Sequence, residues 1–200
     1  MSDILCVTSR ALCKGDFLKQ LEKIAAAKPA GIILREKDLS PGEYRALAIQ
    51  TMEICESHGA PCILHSFADV AAELGCRAIH LPLPILRGLS PEKRAAFSEI
   101  GASCHSAADA AEAEALGCTY ITAGHVFDTD CKRGLPGRGL DFLRQVCKYA
   151  SIPVYAIGGV SPENISAVRA AGAAGACIMS GLMRCENPKQ YLIQFRKGDM

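Results

Sequence analysis

Short apolar runs recur along the chain at Ile4–Thr8, Ala30–Leu34, Cys62–Leu64, Ala78–Leu81, Glu99–Ser103, Tyr120–Ala123, Val154–Ile157 and Ala176–Met179. Each precedes a segment whose apolar residues fall three or four apart with charges between them, as in Phe17-Leu21-Ile24, Tyr44-Leu47, Leu140-Leu143-Val146 and Ile165-Val168-Ala171. Runs of four or five apolar residues suit strands buried on both faces, and the longer periodic segments suit amphipathic helices. Ser40-Pro41 and Ser90-Pro91 read as a helix cap followed by proline in the first turn, and Ser161-Pro162-Glu163-Asn164 opens a helix in a similar way. Glycines at 59, 75, 117 and 172 close helices just ahead of the next strand.

Eight such units predict an α/β protein, a compact single-domain (β/α)8 TIM barrel spanning 1–200. The competing architecture is an open doubly wound sheet. No G-x-G-x-x-G follows the first strand, where a dinucleotide-binding sheet would carry it, so the barrel is preferred.

Composition narrows the ligand. A net charge of +1, no basic run and 6% aromatic residues argue against a nucleic-acid surface, which needs clustered cations and stacking rings. No apolar run reaches the length of a membrane span. Eleven cysteines, an odd number without a C-x-x-C pair, lie mostly inside apolar runs. They read as reduced core thiols of a cytoplasmic protein. Cys131 beside Lys132 and Arg133 could be an activated thiol, but with so many cysteines one beside a lysine is expected by chance.

Candidate chemistry gathers at the strand ends. His125 follows the sixth apolar run and opens a glycine-rich loop carrying Thr129 and Lys132; an imidazole there can hold or release a proton near neutrality. Gly158-Gly159 and Ser180-Gly181 follow the seventh and eighth runs, where backbone N–H groups can cradle a phosphate. Arg35 and Lys37 lie two apart after the second run and can grip an anion on one face. Ser103 and His105 end the fifth run, and Ser106 reads as a helix cap. His65 and His80 end the third and fourth runs without the spacing of a zinc site, so no metal ligand is assigned.

The motifs Leu34-Arg35-Glu36-Lys37-Asp38-Leu39, Ser103-Cys104-His105-Ser106, Gly124-His125-Val126-Phe127, Ala156-Ile157-Gly158-Gly159-Val160 and Met179-Ser180-Gly181 resemble those of the thiamine phosphate synthase superfamily. Within it the chain looks most like the TenI-type thiazole tautomerases. Synthases of this kind carry an Asn-Asp pair after strand three and an Asp after strand four that hold Mg²⁺; here those places read His65-Ser66-Phe67 and Pro82-Leu83-Pro84-Ile85. Synthases also tend to have proline at the position of His125.

The tautomerase resemblance implies an isomerase without cofactor or metal. It would aromatise a carboxythiazole phosphate by a 1,3-proton shift, with His125 as the proton shuttle. Gly158, Gly159, Ser180 and Gly181 would then hold the phosphate, and Arg35, Lys37 or Lys132 the carboxylate. Two alternatives stand beside it: Mg²⁺-dependent coupling of thiazole phosphate to a pyrimidine pyrophosphate, and binding of a thiazole or thiamine phosphate without catalysis. Related barrels suggest a homodimer.

Overall fold

A computed structural model describes residues 3–132 and 134–196. Arg133, considered above as a neighbour of Cys131, lies outside the described residues. Eight parallel strands close into a barrel in sequence order: β1 Ile4–Val7, β2 Gly31–Leu34, β3 Cys62–His65, β4 Ala78–Pro82, β5 Glu99–Cys104, β6 Tyr120–Gly124, β7 Val154–Ile157 and β8 Gly175–Ile178. β1 pairs with both β2 and β8, which completes the circle and excludes the open sheet. Each strand lies within a residue or two of its expected run.

The crossovers are α1 Phe17–Ala26, α2 Pro41–His58, α3 Ala68–Glu73, α4 Leu83–Gly88, α5 Pro91–Ala95, α6 Ala107–Ala115, α7 Gly139–Tyr149, α8 Ile165–Ala170, α9 Ser180–Arg184 and α10 Pro188–Arg196. Ser40 and Glu43 form a reciprocal capping box at the start of α2, and Ser90 and Ser106 cap α5 and α6 through Lys93 N–H and Asp109 N–H. The Ser161 segment behaves differently. Its amide donates to Asn164 Oδ1 at 2.9 Å and a turn intervenes, so α8 begins only at Ile165. The four closing glycines all adopt positive φ.

Alternation along the strands divides the apolar residues in two. One set, including Ile4, Ile32, Leu64, Ile79 and Ile121, faces the helices and forms the large outer core. The other set, Leu5, Val7, Ile33, Ile63, Tyr120 and Cys177, fills the barrel interior. The interior is therefore plugged, and polar inward-facing side chains collect above this plug toward the C-terminal ends of the strands. Among the described residues no helix is long and apolar enough to cross a membrane. All eleven cysteines are free thiols, and Cys131 is exposed.

Candidate active site

A cavity of about 370 Å³ opens at the C-terminal mouth of the barrel. Arg35, Lys37, Ser103, His105, His125, Thr129, Lys132, Gly158, Gly159 and Ser180 all line it, so nearly every residue singled out above converges there. Gly181 is the exception: a Cβ at that position would run into the Tyr191 ring, so this glycine admits α10 against α9 and stands outside the lining.

The two cations after β2 are aimed by the acid between them. Glu36 is buried, accepts the Thr8 hydroxyl at 2.7 Å, and takes both the backbone amide of Arg10 at 3.1 Å and its guanidinium at 3.4 Å. Thr8 Oγ1 in turn accepts the Arg35 amide at 2.9 Å. With Glu36 turned away from the cavity and held by Thr8 and Arg10, Arg35 and Lys37 line it. Burial lowers the Lys37 pKa, and the charges of Arg35 and Lys132 lower it further. Three cations thus share one end of the site, a strong field for an anion.

The opposite rim is glycine. Gly158 and Gly159 have φ of 95° and 67°, a region costly for residues bearing a Cβ. Side chains there would also collide, since a Cβ on Gly158 would sit 2.8 Å from His125 Cα and one on Gly159 2.6 Å from the Asp128 carbonyl oxygen. Bare backbone at this turn lets the β6 loop pack directly on the β7 loop, with Ser180 also on the cavity lining.

His125 stands at the rim. Its Nε2 donates to the Leu135 carbonyl at 3.2 Å, and its own carbonyl accepts the Arg138 amide at 3.0 Å, so the residue clips the start of the loop to its end. Asp128 adds a bond from Gly137 N–H at 2.7 Å. His105 is exposed and its Nδ1 donates to the Gly124 carbonyl at 2.9 Å.

His65 and His80, passed over in the sequence as neighbours without metal spacing, form the floor of the cavity together with Thr122. Their rings stack with centroids 5.7 Å apart. Both are buried and uncharged: burial, then the charges nearby (His80, Arg35 and Lys37 for His65, Lys37 and Arg35 for His80), lower their pKa values to about 2 and about 3. The signal that could have found them was period-two alternation, which puts each two residues above an interior position, Ile63 and Ala78 respectively.

Among the described residues the cavity lining contains no Asp or Glu, and no cluster of three or more His, Cys, Asp or Glu could hold a metal. A hard dication such as Mg²⁺ takes carboxylate and carbonyl oxygens. Imidazoles, hydroxyls and three repelling cations do not fit it.

The chain matches the family model described as thiamine monophosphate synthase over residues 4–182. It belongs to that family. It is 32% identical to thiamine-phosphate synthase 2 of Streptococcus pneumoniae over 86% of this chain and 82% of that one. It is 33% identical to a thiamine-phosphate synthase of Caldivirga maquilingensis over 82% and 80%. The solved thiamine phosphate pyrophosphorylase of Pyrococcus furiosus superposes with a TM-score of 0.81 at 26% identity, covering 98% of this chain and 94% of that one. These names overturn the expectation of an isomerase. The relatives are synthases, which are transferases, so the 1,3-proton shift with His125 as shuttle is set aside. His125 and the missing carboxylates point to one branch, whereas the identity that extends over most of the chain points to the other.

Proposed function

We propose that this chain makes thiamine phosphate by joining a phosphorylated thiazole to a pyrimidine that bears a pyrophosphate leaving group. The observation that carries this is the pairing, in one cavity, of a three-cation end with a bare-backbone glycine rim. Two anionic groups need two such places. Arg35, Lys37 and Lys132 take the pyrophosphate, and Gly158, Gly159 and Ser180 take the thiazole phosphate.

In the reaction the thiazole nitrogen attacks the methylene carbon of the pyrimidine. A C–N bond forms as the C–O bond to pyrophosphate breaks, and pyrophosphate leaves with the electron pair. The chain's contribution is positioning the two rings and stabilising the charge that grows on the departing oxygen, which fixed cations in a partly dry cavity do well. His125 holds the loop that brings Lys132 over the site.

Mg²⁺ does not fit this donor set, so no step is assigned to it. The same donor set favours a second reading, binding of thiamine phosphate without turnover. One assay separates the two: thiazole phosphate and pyrimidine pyrophosphate are incubated with the protein in EDTA, and thiamine phosphate is measured by fluorescence after oxidation to the thiochrome. Product at a rate that falls at least tenfold in Lys37→Gln supports synthesis. Tight retention of added thiamine phosphate with no product supports the second reading.

A further inference from the structure

From the cavity a chain of three polar side chains runs down into the barrel. Ser103 Oγ lies 2.9 Å from His80 Nε2, and His80 Nδ1 lies 3.0 Å from the Tyr120 hydroxyl. His80 and Tyr120 are 3% and 4% exposed, so the lower link is sealed from water. The strand register explains the contact. Gly101 of β5 pairs with His80 on one side and with Tyr120 on the other, and a Cβ at Gly101 would overlap the Tyr120 ring and crowd His80 Nδ1. The glycine leaves the space in which the hydrogen bond forms.

Hydrogen-bond accounting gives the chain a direction. Tyr120 belongs to the apolar cluster of Leu5, Val7, Ile33, Ile63 and Cys177, and His80 is the hydrogen-bond partner of its hydroxyl. If the phenol donates to Nδ1, the neutral imidazole carries its hydrogen on Nε2 and donates it to Ser103 Oγ. The Ser103 hydrogen is then turned to the cavity. In the reverse arrangement Nδ1–H donates to the phenol, the serine donates to Nε2, and the phenolic hydrogen is buried with no acceptor among the described residues. Burial and the nearby Lys37 and Arg35 charges keep the imidazole neutral, as either arrangement requires, so the buried phenol decides between them.

We propose that Tyr120 and His80 are positioning residues that make Ser103 a hydrogen-bond donor to an unprotonated ring nitrogen of the ligand. This rests on the synthase reading, in which the pyrimidine supplies that nitrogen. It makes the site selective: a ring presenting N–H or C–H to Ser103 gives the hydroxyl hydrogen no acceptor.

The test has a part that needs no ligand. Two-bond ¹H–¹⁵N correlation spectra of the histidine-labelled protein report the tautomer of each imidazole, with His80 assigned from the signal displaced in Tyr120→Phe. The Nε2–H form is expected in the wild type, and an Nδ1–H form overturns the proposal. Calorimetry with thiamine phosphate then compares the wild type, Ser103→Ala, Tyr120→Phe and the double variant. Ser103→Ala should weaken binding about tenfold. Tyr120→Phe should weaken it several-fold alone and add nothing in the Ser103→Ala background. Additive losses overturn the relay, because a merely structural Tyr120 would act independently of Ser103. Failure of the wild type to bind thiamine phosphate would sink the synthase reading instead, and the tautomer would then decide the relay by itself.

Discussion

Acidification should destabilise this protein well before its carboxylates titrate, because two imidazoles are buried uncharged beneath Arg35 and Lys37. In the unfolded chain His65 and His80 regain the ordinary value of 6.5, whereas in the fold they stay neutral down to about 2 and about 3. Above 6.5 neither state binds the protons and the stability is fully present. Below it the unfolded chain takes up two protons that the native state refuses, so stability falls with falling pH until the folded values are reached. At about pH 5.5, one unit below the unfolded value, each imidazole costs RT ln 11, or roughly 1.4 kcal/mol, and the pair nearly 3 kcal/mol. For a chain of this length that corresponds to a fall in Tm of roughly 6–12 °C. Thermal melts followed by circular dichroism between about pH 8 and about pH 5.5 would measure it, with His65→Gln and His80→Gln beside the wild type. Each variant lowers stability throughout, but its loss on acidification should be about half that of the wild type. Curves for the variants that run parallel to the wild-type curve would refute the reasoning, since the proton uptake would then belong to other groups.

Two further outcomes follow from the mouth of the barrel. Gly158→Ala forces a Cβ onto a residue at φ 95° and against His125 Cα, so it should cost about 2 kcal/mol or more in chemical denaturation and weaken phosphate-ester binding in calorimetry. Of the cysteines, Cys131 is exposed and lines the cavity, so under native conditions one thiol should react quickly with a chromogenic disulfide. Cys131→Ser should abolish that fast phase and thiamine phosphate should slow it; a fast phase that survives the substitution would refute the assignment.

The barrel was legible because strands buried on both faces read as continuous apolar runs, and because Ser-Pro caps and closing glycines punctuate the helices. Arg35, Lys37, His125, Gly158 and Ser180 were legible too, since they follow strands directly and the fold delivers strand ends to one mouth. Gly181 was expected beside Ser180; the structure sets it outside the cavity lining, where a Cβ would meet Tyr191, a neighbour supplied by α10 that no local pattern announces. The floor of the site was hidden for a related reason. His65 and His80 belong together because β3 and β4 pair with those two residues in register, and Tyr120 joins them through Gly101. Nothing in the sequence sets Glu36 apart from the charges beside it, yet it is the buried anchor that aims the cations on either side of it. The chemistry was the least legible part, because His125 and the missing carboxylates pointed to one branch of the superfamily and the kinship of the whole chain points to the other.

The central claim is that this cavity couples two phosphorylated rings with its own cations. The most direct measurement is single-turnover formation of thiamine phosphate and pyrophosphate from thiazole phosphate and pyrimidine pyrophosphate, with excess protein, in EDTA and again with Mg²⁺. Stoichiometric appearance of both products in EDTA, lost in Lys37→Gln, is the predicted result. No product in EDTA or in Mg²⁺, with thiamine phosphate still bound, would contradict it and leave a barrel that holds the molecule its relatives are named for making.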